Sequence, residues 1–268
     1  MKKWVSTILR LWANRQLIYS FTKRDIQQRY KSSFLGLMWS FVTPLFMLAI
    51  YTFFFSVVFH SRWGAEDGNK FQFAIFLFCG LTVFQLFSDV VNRSPAIIVA
   101  NTNYVKKVVF PIEILPITLV GSALFNMAIN VVLILVSVLF GYGSIPWTLV
   151  FLPIILLPLL LISLGLSWFL ASLGVYVRDV MQFVGLAMQA LMFLSPVFYP
   201  VSVIPVKLHI IYKLNPLTSI IENMRSILIV GEQPDWGMVG ISTGIGIAIS
   251  VLGYVWFRKL RGGFADVL

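Results

Sequence analysis

The sequence predicts an all-helical integral membrane protein, and three observations support this class. Hydrophobic residues make up 59% of the 268 residues, and charged residues make up only 11%. The mean hydropathy is +0.91, whereas a soluble domain carries about 25% charged residues. The apolar runs are continuous and about 20 residues long, as membrane-crossing helices require, and they lack the alternation of a transmembrane barrel.

Six apolar segments are predicted to cross the bilayer as helices. These segments are 34–59, 71–91, 112–140, 147–173, 181–200 and 237–257. The predicted organisation is therefore a cytoplasmic region at 1–33, a transmembrane domain at 34–257 and a cytoplasmic tail at 258–268. In the sixth segment, Gly240 and Gly244 form a G-x-x-x-G pair, a pattern that permits close contact between helices.

The distribution of Lys and Arg predicts the orientation of the chain. With six spans both termini lie on one side, and that side receives fifteen of the twenty Lys and Arg residues. Cytoplasmic loops carry the excess of positive charge in membrane proteins. We therefore expect a multi-pass membrane protein with both termini in the cytoplasm.

Two segments outside the predicted spans have hydropathy patterns that suggest a position at the membrane surface or partly within it. Residues 4–15 place Trp4, Ile8 and Trp12 on one helical arc, which predicts an amphipathic helix lying at the lipid headgroups; an ordinary soluble helix is the alternative. The region 201–236 is too polar for a span and too apolar for a free loop. It favours a pair of short re-entrant helices at about 201–232, with a surface-lying hairpin as the alternative.

The sequence contains no motif for catalysis or nucleotide binding. It has no G-x-x-x-x-G-K-[ST], G-x-S-x-G or H-E-x-x-H. Its two histidines, His60 and His209, are far apart and stand near no Cys cluster. These observations predict a non-enzymatic protein with no metal site and no cofactor of its own. Ion-coupled carriers usually keep ionisable groups near the middle of their spans, and none of the ten acidic residues lies there.

Basic residues stand directly before the first span, and Arg24, Arg29 and Lys31 are the candidates for function. Cations at this boundary could fix the topology, bind lipid headgroups or receive a phosphate-bearing substrate. Guanidinium groups favour phosphate through paired hydrogen bonds, which makes the third role a hypothesis to test. Aromatic rings can stack on sugars as well as pack in lipid. The candidates for such a path are Tyr51, Phe55, Phe76 and Phe84.

Five segments in order resemble the membrane subunit of ABC-2-type polysaccharide exporters. The first is "KRDIQQRYKSSFLGLMW", from Lys23, followed by Pro44. The others are "KKVVFPIEILP" at 106–116, "VRD" at 177–179, "SPVFYP" at 195–200 and "NPLTSIIENMR" at 215–225. Together they cover nearly the whole chain, and the subgroup that they resemble most exports O-antigen in Gram-negative bacteria.

The resemblance implies a homodimer that docks two copies of a separate P-loop ATP-binding subunit, which would bind the ATP and magnesium. ATP hydrolysis there would drive a polysaccharide, linked to undecaprenyl pyrophosphate, from the cytoplasm to the periplasm. The pyrophosphate would meet Arg24, Arg29 or Lys31. The segment after the second span would contact the ATPase through Asn103, Tyr104, Lys106, Lys107, Phe110 and Pro111.

Other functions stay open at this stage. The cargo could be a capsule or teichoic-acid polymer. A secondary carrier of lipid-linked glycans, working without a motor, is a rival from another class. A membrane glycosyl- or acyltransferase is a further rival, for which the sequence shows no catalytic residues.

Overall fold

The protein is described from a computed structural model, which covers residues 12–31, 34–54, 70–106, 110–201, 205, 207, 212 and 215–268. All regular structure in this part of the chain is helical. The α-helices are α1 (Arg15–Tyr30), α2 (Trp39–Thr52), α3 (Lys70–Arg93), α4 (Thr102–Lys106), α5 (Ile114–Tyr142), α6 (Leu152–Tyr176), α7 (Val180–Phe193), α8 (Pro216–Arg225), α9 (Trp236–Leu260) and α10 (Phe264–Val267). The amphipathic helix predicted at 4–15 lies almost wholly outside the described residues.

Four of the predicted spans are confirmed as helices long and apolar enough to cross a membrane. They are Gln72–Ala96, Ile114–Tyr142, Trp147–Tyr176 and Trp236–Val267. A 3-10 turn at Trp147–Phe151 extends α6 at its start. The protein is therefore a multi-pass helical membrane protein.

The other two predicted spans are shorter than expected in the described residues. Helices α2 and α7 have 14 residues each, or about 21 Å at the rise of an α-helix, against a hydrocarbon core of about 30 Å. The end of the first span, 55–59, lies outside the described part. The prediction of a span to residue 200 is wrong, because α7 ends at Phe193 and a turn follows. The count of six spans stays a prediction.

The turn after α7 is held by Asn215, the residue that also caps α8. Its side-chain amide donates to the carbonyl oxygen of Leu194 (3.2 Å) and to the hydroxyl of Ser195 (2.9 Å). Its amide oxygen accepts from the backbone N–H of Leu217 at 3.0 Å, as an N-cap residue does. Helix α8 continues through a π-helical turn to Val230 and ends at Gly231, whose φ is +82°. The first half of the predicted re-entrant pair falls largely outside the described residues, so the re-entrant path stays a prediction.

Helices α6 and α9 form the tightest pair in the bundle, through glycines other than those predicted. A Cβ on Gly253 would lie 2.0 Å from the carbonyl oxygen of Gly165, and a Cβ on Gly165 would lie 2.5 Å from the backbone of Ile249. The Ser250 hydroxyl donates to the Leu161 carbonyl across the same contact (2.6 Å). Gly240 and Gly244 have open space at their Cβ positions. Within the part of the chain that the structure describes, Gly240 and Gly244 therefore form no close helix contact.

The core has two parts. The larger lies among α3, α5, α6 and α8, and the smaller surrounds Trp168, Tyr254 and Phe264 at one end of the bundle. Phe21 of α1 and Leu268 both pack against the smaller part. The described N-terminal helix and the C-terminal tail therefore lie at the same end of the bundle, with the tail docked by the fully buried Phe264.

Candidate functional site at the N-terminal helix

Helix α1 packs against α5 and presents two chemically different faces. Thr22 contacts α5 so closely that a Cβ on Gly121 would lie 2.9 Å from its side chain. Asp25 and Arg29 lie on this inner side and are only about a fifth exposed. Lys23 and Arg24 are exposed on the other side. The cations of α1 are therefore divided between a packed face and an exposed face.

Four charged side chains on α1 and α3 form one ion cluster: Asp25, Arg29, Asp89 and Arg93. Arg29 contacts Asp89 at 2.5 Å, and Arg93 contacts Asp25 at 2.5 Å. Longer pairs within each helix, Arg29–Asp25 at 3.8 Å and Arg93–Asp89 at 3.7 Å, complete the cluster. Both guanidinium groups also donate to the buried hydroxyl of Ser122 on α5, at 3.5 and 3.4 Å.

The cluster changes the expectation for Arg29. Two carboxylates and two guanidinium groups cancel in charge, so the cluster as a whole does not attract a phosphate. The predicted phosphate contact of Arg29 stays a prediction, and in this arrangement a pyrophosphate has to compete with Asp89 for the same guanidinium. The sequence did carry a signal for the cluster. Both helices contain D-x-x-x-R, in "DIQQR" and "DVVNR", and this spacing places each pair on one helical face.

Arg24 lies at a junction between the two predicted sites. It donates a hydrogen bond to the hydroxyl of Tyr104 (2.7 Å) and stands over the rings of Phe21 and Tyr104, at 5.5 and 5.8 Å from their centroids. The rings of Phe21, Tyr104 and Phe110 lie 5.0 to 5.3 Å apart. Arg24, a candidate for phosphate contact, therefore packs together with Tyr104 and Phe110, which are candidates for ATPase contact. The sequence did not indicate that these residues meet.

The remaining candidates of these two sets are distributed as follows. Lys31 is exposed at the end of α1 and makes no ion pair within the described residues. Asn103 and Lys106 are exposed on α4, and Pro111 is half-buried after it. Lys107 lies outside the described residues. An exposed patch beside α1 thus exists for a partner to contact.

The three aromatic candidates that the structure describes, Tyr51, Phe76 and Phe84, do not form a common surface. The ring of Phe84 is buried in the larger core, where it cannot meet a passing sugar. Phe76 packs against the same core, and Tyr51 stands edge-on to Phe198 at 6.3 Å. Phe55 lies outside the described residues. A channel-lining role stays a prediction for Tyr51, and the burial of Phe84 argues against such a role for it.

Arg225 is a buried site that the sequence analysis did not single out, although it ends the motif "NPLTSIIENMR". It is the most voluminous side chain among the fully buried residues described. Its guanidinium donates to the carbonyl oxygens of Phe76 (3.0 Å), Pro196 (2.8 Å) and Val197 (3.0 Å), and it pairs with Glu222 at 2.8 Å. The residue thus joins α8 to α3 and to the turn after α7. The E-x-x-R spacing in "ENMR" was the available signal.

The described residues hold no group of three or more His, Cys, Asp or Glu side chains that could bind a metal. Four helices long and apolar enough to cross a membrane define the class of the protein, a multi-pass membrane protein. Residues 16–229 match the family described as ABC-2 type transporter, and the chain belongs to that family.

Three similar proteins match most of the chain. An O-antigen export system permease protein of Klebsiella pneumoniae is 30% identical over 257 residues, covering 94% of this chain and 95% of its own length. A protein of the same description from Myxococcus xanthus is 30% identical over 98% of this chain and 99% of its own. A polysialic acid transport protein of Escherichia coli is 26% identical over 78% of this chain and 79% of its own.

Proposed function

We propose that this chain is the membrane subunit of an ATP-driven exporter for a lipid-linked polysaccharide of the O-antigen type. The observation that carries the proposal is its similarity, over nearly the full length, to relatives described as O-antigen export permeases. The cargo travels from the cytoplasm to the periplasm across the bacterial inner membrane, with both termini of the chain cytoplasmic. The lipid anchor is undecaprenyl pyrophosphate, which stays beside the protein while the glycan passes through it.

The motor is a separate subunit. The chain lacks a P-loop, so ATP and its magnesium bind to a partner, and two copies of that partner dock on a homodimer of this chain. The partner contacts the exposed residues Asn103 and Lys106 on α4. The contact reaches α1 through Tyr104, since Tyr104 binds Arg24.

The pyrophosphate is first received by the exposed cations of α1. Lys31 and Arg24 are exposed there, whereas Arg29 is held by Asp89. Arg29 becomes available only when α1 moves relative to α3 and the ion cluster opens. Motion of the motor subunit, passed through α4 to α1, therefore controls when the third cation meets the substrate.

A second cargo class is supported by a specific observation. The polysialic acid transport protein of Escherichia coli is a relative over about four fifths of the chain, so a capsule polymer is the alternative cargo. A teichoic-acid polymer is a further alternative cargo.

The test is co-purification in mild detergent of the tagged chain with the products of neighbouring genes, followed by ATPase and export assays. We expect a complex of two chains with two P-loop subunits, ATPase activity that changes on assembly, and ATP-dependent movement of lipid-linked glycan into inverted vesicles. Glycan transport by the chain alone would contradict the proposal in favour of a motor-less carrier. Product formation by the chain alone would favour a transferase.

A further inference from the structure

A cavity of about 670 Å³ lies between α8 and the first half of α9. Helix α9 begins beside this cavity, whereas its other end leads into the tail that lies near α1. The cavity is therefore at the end of the bundle opposite to the candidate site at α1. Its volume falls within the range of about 300–1,000 Å³ that is usual for ligand pockets.

The lining of this cavity changes from polar to apolar along α9. Glu232 and Asp235 stand at its polar end, directly before the helix. Met238, Ile241 and Ile245 follow at a spacing of three and four residues, so they share one helical face. At the rise of an α-helix, Ile245 lies about 15 Å further along the axis than Asp235, which is about half of a hydrocarbon core of about 30 Å. The cavity thus has the polar and apolar ends that an amphipathic lipid requires.

Aromatic residues indicate the depth of the polar end in the membrane. The ring centroids of Trp147 and Phe151 are 5.5 Å apart, and those of Phe151 and Trp236 are 5.1 Å apart. Trp147 and Trp236 are both exposed, and Trp236 is the first residue of α9. Trp side chains are enriched at the boundary between membrane and water. The polar end of the cavity is therefore at the level of the lipid headgroups, and the apolar end is inside the bilayer.

The charge of the polar end favours a cationic group on the ligand. Glu222, Glu232 and Asp235 line the cavity, and its described lining contains no Lys, Arg or His. Glu222 is paired with Arg225 at 2.8 Å, whereas Glu232 and Asp235 are exposed and form no ion pair within the described residues. Two carboxylates without a counter-ion attract an ammonium group and repel a headgroup whose only charge is a phosphate.

A second, independent observation points to a ligand deeper in the cavity. Ser242 lines it and is only 3% exposed. A hydroxyl within a helix often donates to the carbonyl four residues earlier, as that of the neighbouring Thr243 does to Val239 at 2.7 Å. The Ser242 hydroxyl has no hydrogen-bond partner within the described residues, and its oxygen is not one of the atoms that are sealed from the cavity. It is therefore a donor available to an acceptor oxygen of a ligand.

We propose that the cavity binds phosphatidylethanolamine, the phospholipid class whose head ends in a primary ammonium. The ammonium lies between Glu232 and Asp235, and Ser242 donates to an ester carbonyl oxygen at the start of an acyl chain. Ser242 stands about 10 Å further along α9 than Asp235, so it lies below the headgroup. The acyl chain packs against Ile241 and Ile245. This inference does not rest on the proposed function, because it concerns a membrane lipid and not the cargo.

The test is native mass spectrometry of the purified full chain in mild detergent with added lipid. The probes are phosphatidylethanolamine, phosphatidylcholine and phosphatidylglycerol with the same acyl chains. We expect phosphatidylethanolamine to bind about fivefold more tightly than phosphatidylcholine, because the quaternary ammonium of the latter has no N–H to donate to a carboxylate. The anionic phosphatidylglycerol should bind more weakly than phosphatidylethanolamine as well.

Two sets of variants test the two ends of the cavity. Glu232→Gln combined with Asp235→Asn should remove the preference and leave the binding of phosphatidylcholine unchanged; Asn keeps the cap of α9, since its side-chain oxygen can accept from the N–H of residue 238 as Asp235 does (3.0 Å). The matched control, Asp179→Asn, removes a charge from an exposed residue outside the cavity and should keep the preference. Ile245→Trp fills the apolar end and should weaken both lipids, whereas Ile247→Trp, outside the lining, should weaken neither.

Three results would overturn the lipid site, and none of them bears on the proposed function, which has its own test. They are equal affinity of the wild-type chain for the three lipids, a preference that survives in the double variant, and a preference that EDTA abolishes. The last result would show that the carboxylates hold a divalent cation instead of an ammonium. If the double variant fails to fold, Glu232→Gln alone decides, because Glu232 is exposed and caps no helix; the preference should then fall about twofold.

Discussion

At the scale of single residues, Arg225 determines how three elements meet. Its guanidinium satisfies carbonyl oxygens of Phe76, Pro196 and Val197, and Gly80 leaves the space that the group needs, since a Cβ there would lie 2.6 Å from a guanidinium nitrogen. A planar group with several donors can reach oxygens on different sides, which a single ammonium cannot.

We therefore predict that Arg225→Ala and Arg225→Lys both destabilise the protein, the former more strongly. Each hydrogen bond that involves a charged group contributes about 1.5–3 kcal/mol when it is buried, so the loss in Arg225→Ala is several kcal/mol. The measurement is the temperature of unfolding in detergent. An Arg225→Ala chain that unfolds at the wild-type temperature and still exports glycan would contradict the proposed structural role of Arg225.

At the scale of elements, the contact between α6 and α9 depends on Gly165 and Gly253. Their backbones approach closely enough that a single added Cβ on Gly253 would meet the carbonyl of Gly165. Close backbone approach is how small residues stabilise helix pairs in a membrane.

We predict that Gly253→Ala destabilises the bundle, whereas Gly244→Ala does not. Overpacking costs about 1–3 kcal/mol, and the contact here involves backbone, which cannot turn aside as a side chain can. Gly244 is the matched control because the same change on the same helix enters open space. Equal unfolding temperatures for the two variants, measured in detergent, would contradict the packing described.

The packing of α1 against α5 is also a property of the elements, and an engineered disulfide can fix α1 in this position. The Cβ built on Gly121 lies 3.5 Å from the Cβ of Thr22, within the range that a disulfide requires. We predict that Thr22→Cys with Gly121→Cys forms a disulfide under oxidation and stops export, and that a reductant restores it. The physical reason is that a covalent link prevents α1 from leaving the ion cluster.

The control is Thr22→Cys alone, which adds no Cβ at Gly121 and so leaves the close contact between α1 and α5 in place. This variant should neither form the disulfide nor change export on oxidation. Full export by a chain in which Thr22→Cys and Gly121→Cys are completely cross-linked would show that α1 does not need to move.

At the scale of the whole molecule, α1, α4 and the C-terminal tail gather at one end of the bundle. Arg24 binds Tyr104, Arg261 binds Glu113 at 2.5 Å, and Phe264 is buried in the smaller core. A partner that docks at this end therefore contacts a platform that is linked to α1.

We predict that Tyr104→Phe weakens the coupling between ATP hydrolysis and export. It removes the hydrogen bond to Arg24 and keeps the ring contacts. An exposed contact of this kind contributes about 0.5–1 kcal/mol, so the glycan exported per ATP should fall about two- to fivefold. The quantity to measure is that ratio in proteoliposomes, with assembly of the complex checked separately.

Tyr176→Phe is the matched control for this prediction. It also loses one hydroxyl contact at the same end, the hydrogen bond to the Leu260 carbonyl at 3.0 Å, but it does not touch α1. If the glycan exported per ATP is unchanged in Tyr104→Phe, or falls equally in Tyr176→Phe, the contact between Tyr104 and Arg24 does not couple ATP hydrolysis to export.

Composition and local pattern by themselves determined the class of the protein and four long helices. An apolar run of this length has no stable place except a membrane or a large core, so α3, α5, α6 and α9 followed from hydropathy alone. The five ordered motifs also indicated the family. The end of α7 did not follow, because hydropathy does not register a turn held by the distant Asn215.

Only the tertiary structure decided which charged and small residues meet. Spacing along a helix indicates that Asp25 faces Arg29, but the pairing of Arg29 with Asp89 depends on how α1 lies against α3. The same holds for Arg225, whose partners are backbone carbonyls far away in sequence, and for Gly253 opposite Gly165. The physical reason is that hydropathy and helical period are local properties, whereas a hydrogen bond or a backbone contact depends on distances of a few ångströms between segments that the sequence separates widely.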